Sequence, residues 1–212
     1  MKRIYGIVIA VAIAFVATFS FNVYAKGSTK DVRVNNEYVI IDMNGYNTRY
    51  VLECTNISDS DLMAGAVFYA RDDEGNVVKK VSDCGYMVKS GASFILYGQF
   101  KTVEVSGISN FDYDITAEKT SECRADAVGV ECNSSEEGSL VVSGTNYSSS
   151  DVEGINVRSV FYKDGEPVAF DTVNIADTGY TLHSGSSNTQ ELAMQDFEYD
   201  DYVVTWSVSD AD

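Results

Sequence analysis

The sequence predicts an all-β protein: two tandem immunoglobulin-like β-sandwich domains behind an N-terminal signal peptide. Three observations carry that expectation. Apolar residues nowhere recur at helical spacing over three turns, whereas short alternating runs bounded by Gly, Asn and Asp are frequent. One hairpin signature occurs twice, as Gly65-Ala66-Val67-Phe68-Tyr69-Ala70-Arg71-Asp72-Asp73-Glu74-Gly75-Asn76-Val77-Val78 and as Asn156-Val157-Arg158-Ser159-Val160-Phe161-Tyr162-Lys163-Asp164-Gly165-Glu166-Pro167-Val168. In each, Val-Phe-Tyr favours the pleated chain, an acidic residue before Gly favours a turn needing positive φ, and valine restarts a strand. Finally, Thr-Asn-x-Ser recurs about ninety residues on, at Thr55-Asn56-Ile57-Ser58 and Thr145-Asn146-Tyr147-Ser148, a period that fits a repeated domain and is too long for a solenoid unit.

In chain order, Lys2 and Arg3 precede an apolar run from Ile7 to Phe21 and then Val23-Tyr24-Ala25, the layout of a secretory signal with cleavage after Ala25. The rival is an uncleaved anchor, since Ile4 to Val23 is about long enough to span a bilayer, but Thr18, Ser20 and Asn22 weaken its exit side. No Cys follows the run to take a lipid. Lys26 to Asn36 is a polar leader. Glu37 to Asp42 is a first strand, Asn44-Gly45 a hairpin turn and Thr48 to Thr55 a second strand. Asn56 to Asp61 is a loop. After the first hairpin come a polar crossing at Ser82-Asp83-Cys84-Gly85 and a strand from Ala92 to Tyr97. Phe111 to Thr116 closes the unit, with Tyr113, Ile115 and Ala117 on one face and Asp112, Asp114 and Thr116 on the other.

The second half replays this order. Val128 to Cys132 stands for Val39 to Met43, and Ser139 to Ser148 for Tyr50 to Ser58. Gly85-Tyr86-Met87-Val88-Lys89-Ser90-Gly91 is matched by Gly179-Tyr180-Thr181-Leu182-His183-Ser184-Gly185, and Tyr113 to Thr116 by Tyr202 to Thr205. The expected division is a signal over residues 1–25, one domain with its leader over 26–118 and a second over 119–212, each folding alone. The boundary near Glu118 to Thr120 has no Pro or Gly and reads as a short, stiff junction.

Strand, Thr-Asn-x-Ser loop, strand ending Phe-Tyr, acidic-Gly turn, Val-rich strand and x-Ser-Gly before another strand: this order resembles the FxLYD-type domain, a bacterial extracellular β-sandwich found singly or in tandem. The motif survives as Phe68-Tyr69 and Phe161-Tyr162, with Ala70 and Lys163 in the Asp place. Phe94-Ile95-Leu96-Tyr97-Gly98 matches four letters in a different strand. The resemblance implies a fold and an extracellular location. It implies no activity.

Composition narrows the partners. The formal charge of −17 becomes more negative once Lys2 and Arg3 leave with the signal, which disfavours nucleic acid and anionic lipid, both of which need a basic surface. With 45% apolar residues, 14 Tyr and 10 Phe, the chain is expected to be folded. The single histidine, His183, has Lys89 at its repeat position and so reads as a loop residue; one His also leaves the common zinc sets and a His-based triad in both halves without ligands. Gly-x-Ser-x-Gly and phosphate loops are absent. No cofactor, catalytic residue or metal is expected. Asp72-Asp73-Glu74, Asp112 with Asp114, Asp164 with Glu166, and Asp196, Glu198, Asp200 and Asp201 gather carboxylates without a calcium-loop spacing. The last group is the densest and is the weak candidate for a cation.

Tyr46, Tyr86, Tyr147 and Tyr180 stand in turns, where they could stack on sugars or pack under loops. Trp206, in phase with Tyr202 and Val204, reads as core. Asn-x-Ser sequons stand at Asn56, Asn133 and Asn146. Four cysteines in an exported chain are expected to be oxidised, and intradomain pairing gives Cys54 with Cys84 and Cys123 with Cys132. The function expected is an exported, non-catalytic binding or spacer protein of the bacterial envelope or extracellular space, with an unidentified protein or glycan ligand. Carbohydrate binding is the alternative, and a small hydrolase working through two carboxylates the third reading.

Overall fold

The computed structural model describes residues 22–23, 30–108, 110–135, 138–192 and 197–209, so the expected signal peptide lies outside the described residues apart from Asn22 and Val23. The chain is all-β, with no α-helix among the described residues. Its strands are β1 (Asn22–Val23), β2 (Val32–Ile41), β3 (Asn47–Asn56), β4 (Leu62–Arg71), β5 (Val77–Val88), β6 (Ser93–Lys101), β7 (Asn110–Lys119), β8 (Val128–Ser134), β9 (Leu140–Asn146), β10 (Val152–Glu153), β11 (Ile155–Lys163), β12 (Glu166–Ile175), β13 (Thr181–Leu182), β14 (Ser187–Leu192) and β15 (Asp201–Ser209).

The two halves repeat one strand order. In the first, β2-β3-β6 faces β7-β4-β5; in the second, β8-β9-β14 faces β15-β11-β12. Both Val-Phe-Tyr segments are first strands of antiparallel hairpins, β4–β5 and β11–β12. The second turn has φ of 52° at Asp164 and 81° at Gly165, the two successive positive values that a two-residue turn needs to match strand twist. Phe68 pairs with Tyr113 as Phe161 pairs with Tyr202, so the Tyr113-to-Thr116 and Tyr202-to-Thr205 landmarks are structural equivalents.

Three expectations need correction. Residues 32–36 are not leader but the start of β2, with a bulge between Val34 and Asn36 and Val32 in the core. It follows that Val128 is the counterpart of Val32, not of Val39, because Val32 pairs with Asn56 and Val128 with Asn146. Ser82 to Gly85 is not a crossing: β5 runs through it, absorbing Cys84 and Gly85 as a bulge opposite Gly65, with Gly85 at φ 84°.

The four cysteines are free thiols, so the expected bridges do not form. Cys54 points from β3 into the first core, whereas Cys84 sits exposed in the β5 bulge of the facing sheet. Cys123 precedes the short turn Ala125–Ala127, while Cys132 lies about 13 Å along β8 from Val128, where that turn delivers the chain. A disulfide needs Cα atoms within about 7 Å.

Each half has its own apolar core. The first centres on Tyr50, Leu52, Phe68, Leu96, Phe100 and Phe111, the second on Leu140, Val142, Ile155, Val157, Phe161 and Leu192. A third cluster, Ile40, Val51, Ile95, Val160 and Phe170, lies between the halves. It exists because β3 and β11 are buried on both faces: Tyr50, Leu52 and Cys54 point into the first core while Val51 and Glu53 point out, and Val157 and Phe161 point into the second while Arg158 and Val160 point out. The outer face of β2-β3-β6 thus packs on the outer face of β12-β11-β15. At one end β5 and β15 also pair, through Met87 with Val208 and Tyr86 with Ser209, which joins the halves in one sheet.

Candidate functional site

Two features stand out: a repeated corner at one end of each half, and the junction with the clefts that flank it.

Thr-Asn-x-Ser is the corner. Asn56 and Asn146 are both 0% exposed. The Asn56 amide donates to the carbonyls of Ser60, Val88 and Lys89, and its Oδ1 accepts from the Ser58 N–H and hydroxyl. Asn146 donates to Ser150 and Leu182 carbonyls and accepts from Ser148 in the same way. Ser90 and Ser184 hydroxyls then donate to the Ser58 and Ser148 carbonyls, and their N–H groups to Asp61 and Asp151. One buried amide satisfies loop carbonyls that no strand reaches, which is why the motif recurs. Two of the three sequons are therefore closed to glycosylation in the folded chain. The equivalence of Lys89 with His183 also holds: Lys89 pairs with Asp61 at 3.2 Å and Asp126 at 2.7 Å, and His183 Nδ1 with Asp177 at 2.7 Å.

At the junction, Arg158 is buried and makes a two-pronged pair with Asp83, Nη1 to Oδ2 at 2.6 Å and Nη2 to Oδ1 at 2.9 Å. It donates further to the Ile95 carbonyl and to Asn156 Oδ1. Its guanidinium lies between the rings of Tyr86 at 4.0 Å and Tyr97 at 4.8 Å. Burial alone would lower the Arg158 pKa, but Asp83 more than offsets that and holds it above its ordinary value. Burial pushes the Tyr86 hydroxyl up to about 12. Alongside, the Tyr162 hydroxyl donates to Glu53, which also accepts from Asn36 at 2.8 Å, and contacts Tyr38. Arg158 over β6, Val160 over β3 and Tyr162 over β2 show that β11 crosses these strands instead of following them.

The sequence candidates fall elsewhere. Asp196 lies outside the described residues. Glu198 pairs with Lys163 at 3.5 Å, Asp200 accepts the Asp164 N–H at 3.0 Å, and Asp201 accepts the N–H of Tyr202. Asp72 folds back on Glu74 and Asn76, and Asp112 pairs with Arg71 at 3.1 Å. These carboxylates close turns and strand ends, and no three His, Cys, Asp or Glu converge among the described residues. Tyr46, Tyr147 and Tyr180 are 74, 73 and 70% exposed, but Tyr86, the repeat counterpart of Tyr180, stacks on Arg158. Repetition marked the position, and only the junction distinguishes the two uses. Arg158 and Asp83 gave no sequence signal beyond charge inside otherwise strand-like runs.

Clefts of about 290 and 230 Å³ flank the β5–β15 pairing and share Met87 as a wall. The first is lined by Thr205 and Trp206 opposite Val88, Lys89 and Ser93. No family model matches the chain, and no curated protein does. Among solved structures, red sea bream transglutaminase is similar with a TM-score of 0.27 and 10% identity over 87% of this chain and 32% of that one, so the chain spans about a third of that protein's length.

Proposed function

We propose that this chain is an exported, non-catalytic protein of the bacterial envelope or extracellular space, built as two tandem immunoglobulin-like domains of the FxLYD type that act as one stiff spacer and binding unit. The junction is the observation that supports this reading. A third apolar cluster, a buried Arg158–Asp83 pair and strand pairing between β5 and β15 connect the halves at several points, whereas a swinging linker would leave their facing surfaces polar and wet. The acidic surface suits a protein that stays soluble outside the cell.

Nuclear spin relaxation tests the stiffness: amides of both halves are expected to share one rotational correlation time, and separate times would overturn the spacer reading. N-terminal sequencing of product from a bacterial host tests export. A mature chain starting at Lys26 is expected; an intact cytoplasmic product would refute it. Carbohydrate binding is the second reading, favoured by the cleft beside Thr205.

A further inference from the structure

The outer edge of β7 is a preformed seat for an added strand. On its inner side β7 pairs with β4 along its whole length, from Asn110 opposite Arg71 to Lys119 opposite Leu62. On its outer side β1 is seated in parallel, Asn22 opposite Asn110 and Val23 opposite Phe111. Beyond that, from Asp112 to Lys119, no strand among the described residues covers the edge, a run of about 26 Å.

Hydrogen bonds at the two ends tell which main-chain groups face outward. The Thr120 N–H donates to the Asp61 carbonyl on the β4 side, whereas the Tyr113 N–H is taken at 2.7 Å by the Asp112 side chain. Main-chain groups alternate along an antiparallel strand, so the N–H and C=O of Ile115 and Ala117 point to the open edge with those of Tyr113. Such a row is a template for another strand, and β1 shows that this one accepts a segment and in which direction. Cleavage after Ala25, the export reading on which this inference rests, takes β1 away with the signal and empties its place.

The side chains narrow the occupant. Phe111, Tyr113 and Ile115 turn into the first core. On the opposite face Asp112 is closed by Arg71, but Asp114 and Glu118 are exposed, four residues apart on either side of Thr116. Asp114 is oriented by the Tyr69 hydroxyl at 3.1 Å. A second copy docked through its own β7, antiparallel with Thr116 opposite itself, would set Asp114 against Glu118 twice, and like charges directly opposite are destabilising. An extended segment carrying basic residues four apart meets a carboxylate at each, while its main chain takes the open groups of β7.

We propose that the β7 edge of the exported chain binds an extended segment of a partner protein, added parallel to β7, with two basic side chains four residues apart facing Asp114 and Glu118. The edge thereby gives the binding unit a peptide ligand.

The test uses the exported chain beginning at Lys26, whose mass reads the cleavage independently of any binding. The probe is a fluorescently labelled peptide with the sequence of residues 22–30, in which Lys26 falls opposite Asp114 and Lys30 opposite Glu118 when the register of β1 is continued. The same peptide with both lysines changed to Glu is the control. A saturable rise in anisotropy with the lysine peptide is expected, with slowed hydrogen exchange at the Ile115 and Ala117 amides and binding about tenfold weaker for the glutamate peptide. Asp114→Lys combined with Glu118→Lys, both exposed changes, is expected to reverse that preference at unchanged melting temperature. Ala117→Pro removes an N–H that β4 does not use and is expected to abolish binding of either peptide. No saturable response, equal affinity for the two peptides, or a preference that survives the double reversal would overturn the edge site. A chain that still begins at Met1 would instead overturn the cleavage reading, so the two failures are distinguishable.

Discussion

Ser159 shows how the two copies diverge at a single position. It is fully buried, its Oγ has no partner, and it shares the core-facing side of β11 with Val157 and Phe161. The equivalent residue in the first half, two before the matching Phe, is Ala66, also buried. Ser159→Ala therefore removes an unsatisfied hydroxyl and leaves a side chain the fold already uses there. It is expected to stabilise the protein by about 1 kcal/mol, seen as a higher urea midpoint at unchanged slope. At the corner, His183 is exposed and its pKa is raised, first by the hydrogen bond to Asp177 and then by that carboxylate's charge. A raised folded-state pKa means that the contribution is fully present below the unfolded value and is lost as pH rises through the folded one. The expected outcome is a proton-NMR titration midpoint above that of a model histidine, returning toward it in Asp177→Asn; because the pair is solvated, stability should change little across that window.

At the scale of elements, the halves reach the same sandwich with different volumes. Tyr50 on β3 pairs with Gly98 on β6, and the equivalent pair in the second half is Leu140 with Leu192. A large ring beside no side chain replaces two medium ones. Gly98 is obligatory for a concrete reason: a Cβ there would lie 2.6 Å from Cβ and Cγ of Phe68, which is fully buried in the facing sheet. Gly98→Ala is expected to destabilise by roughly 1–3 kcal/mol through overpacking, measurable as a lower urea midpoint, while the open turn glycine at Gly45 is excluded as a control because its φ of 69° strains any side chain.

Elements of this kind were legible in the sequence where local chemistry decides them. Val-Phe-Tyr followed by Asp-Gly can hardly do other than turn, and Thr-Asn-x-Ser recurred because one amide geometry serves both corners. What escaped was set by the partner surface. β2 begins in polar Val32-Arg33-Val34-Asn35-Asn36 because its main chain is needed by β3, not because its side chains alternate cleanly. Cys54 and Cys84 looked paired since both are missing from the second half together; in the structure their counterparts changed for separate reasons, with Ile175 occupying the space beside Gly144 and the β5 bulge exposing Cys84.

For the whole molecule, the repeat explains why the halves pack once and in one order. The outward residues of the first half at the junction are Val51, Glu53, Ile95 and Tyr97; their equivalents on the second half, Val141, Ser143, Thr189 and Glu191, form a solvated face in which Ser143 and Thr189 hydroxyls bond at 2.8 Å. Conversely, Arg158, Val160 and Tyr162 of the second half correspond to Gly65, Val67 and Tyr69 of the first, where Gly65 has no side chain and the guanidinium present is that of Arg71, which lies 5.2 Å over the Tyr69 ring and pairs with Asp112. The two outer faces are therefore not interchangeable: the one in the second half is polar, and the one in the first has Gly65 where Arg158 stands. Each half keeps its own core, but alone the first would expose Val51 and Ile95 and leave the Asp83 charge without Arg158, held by the Tyr97 N–H at 3.0 Å. The pair can therefore be tested as a unit. Arg158→Met alone strands a buried carboxylate, and such an orphaned charge costs roughly 3–5 kcal/mol, whereas Asp83→Asn together with Arg158→Met removes both charges and should recover most of the loss. The expected pattern in urea is one cooperative transition for the parent, an earlier and broader or split transition for Arg158→Met as the halves uncouple, and near-parental behaviour for the double variant. A double variant that loses as much stability as Arg158→Met alone, or more, would mean that Arg158 and Asp83 do not couple the halves, and that the apolar cluster around Val51 and Val160 holds the junction by itself.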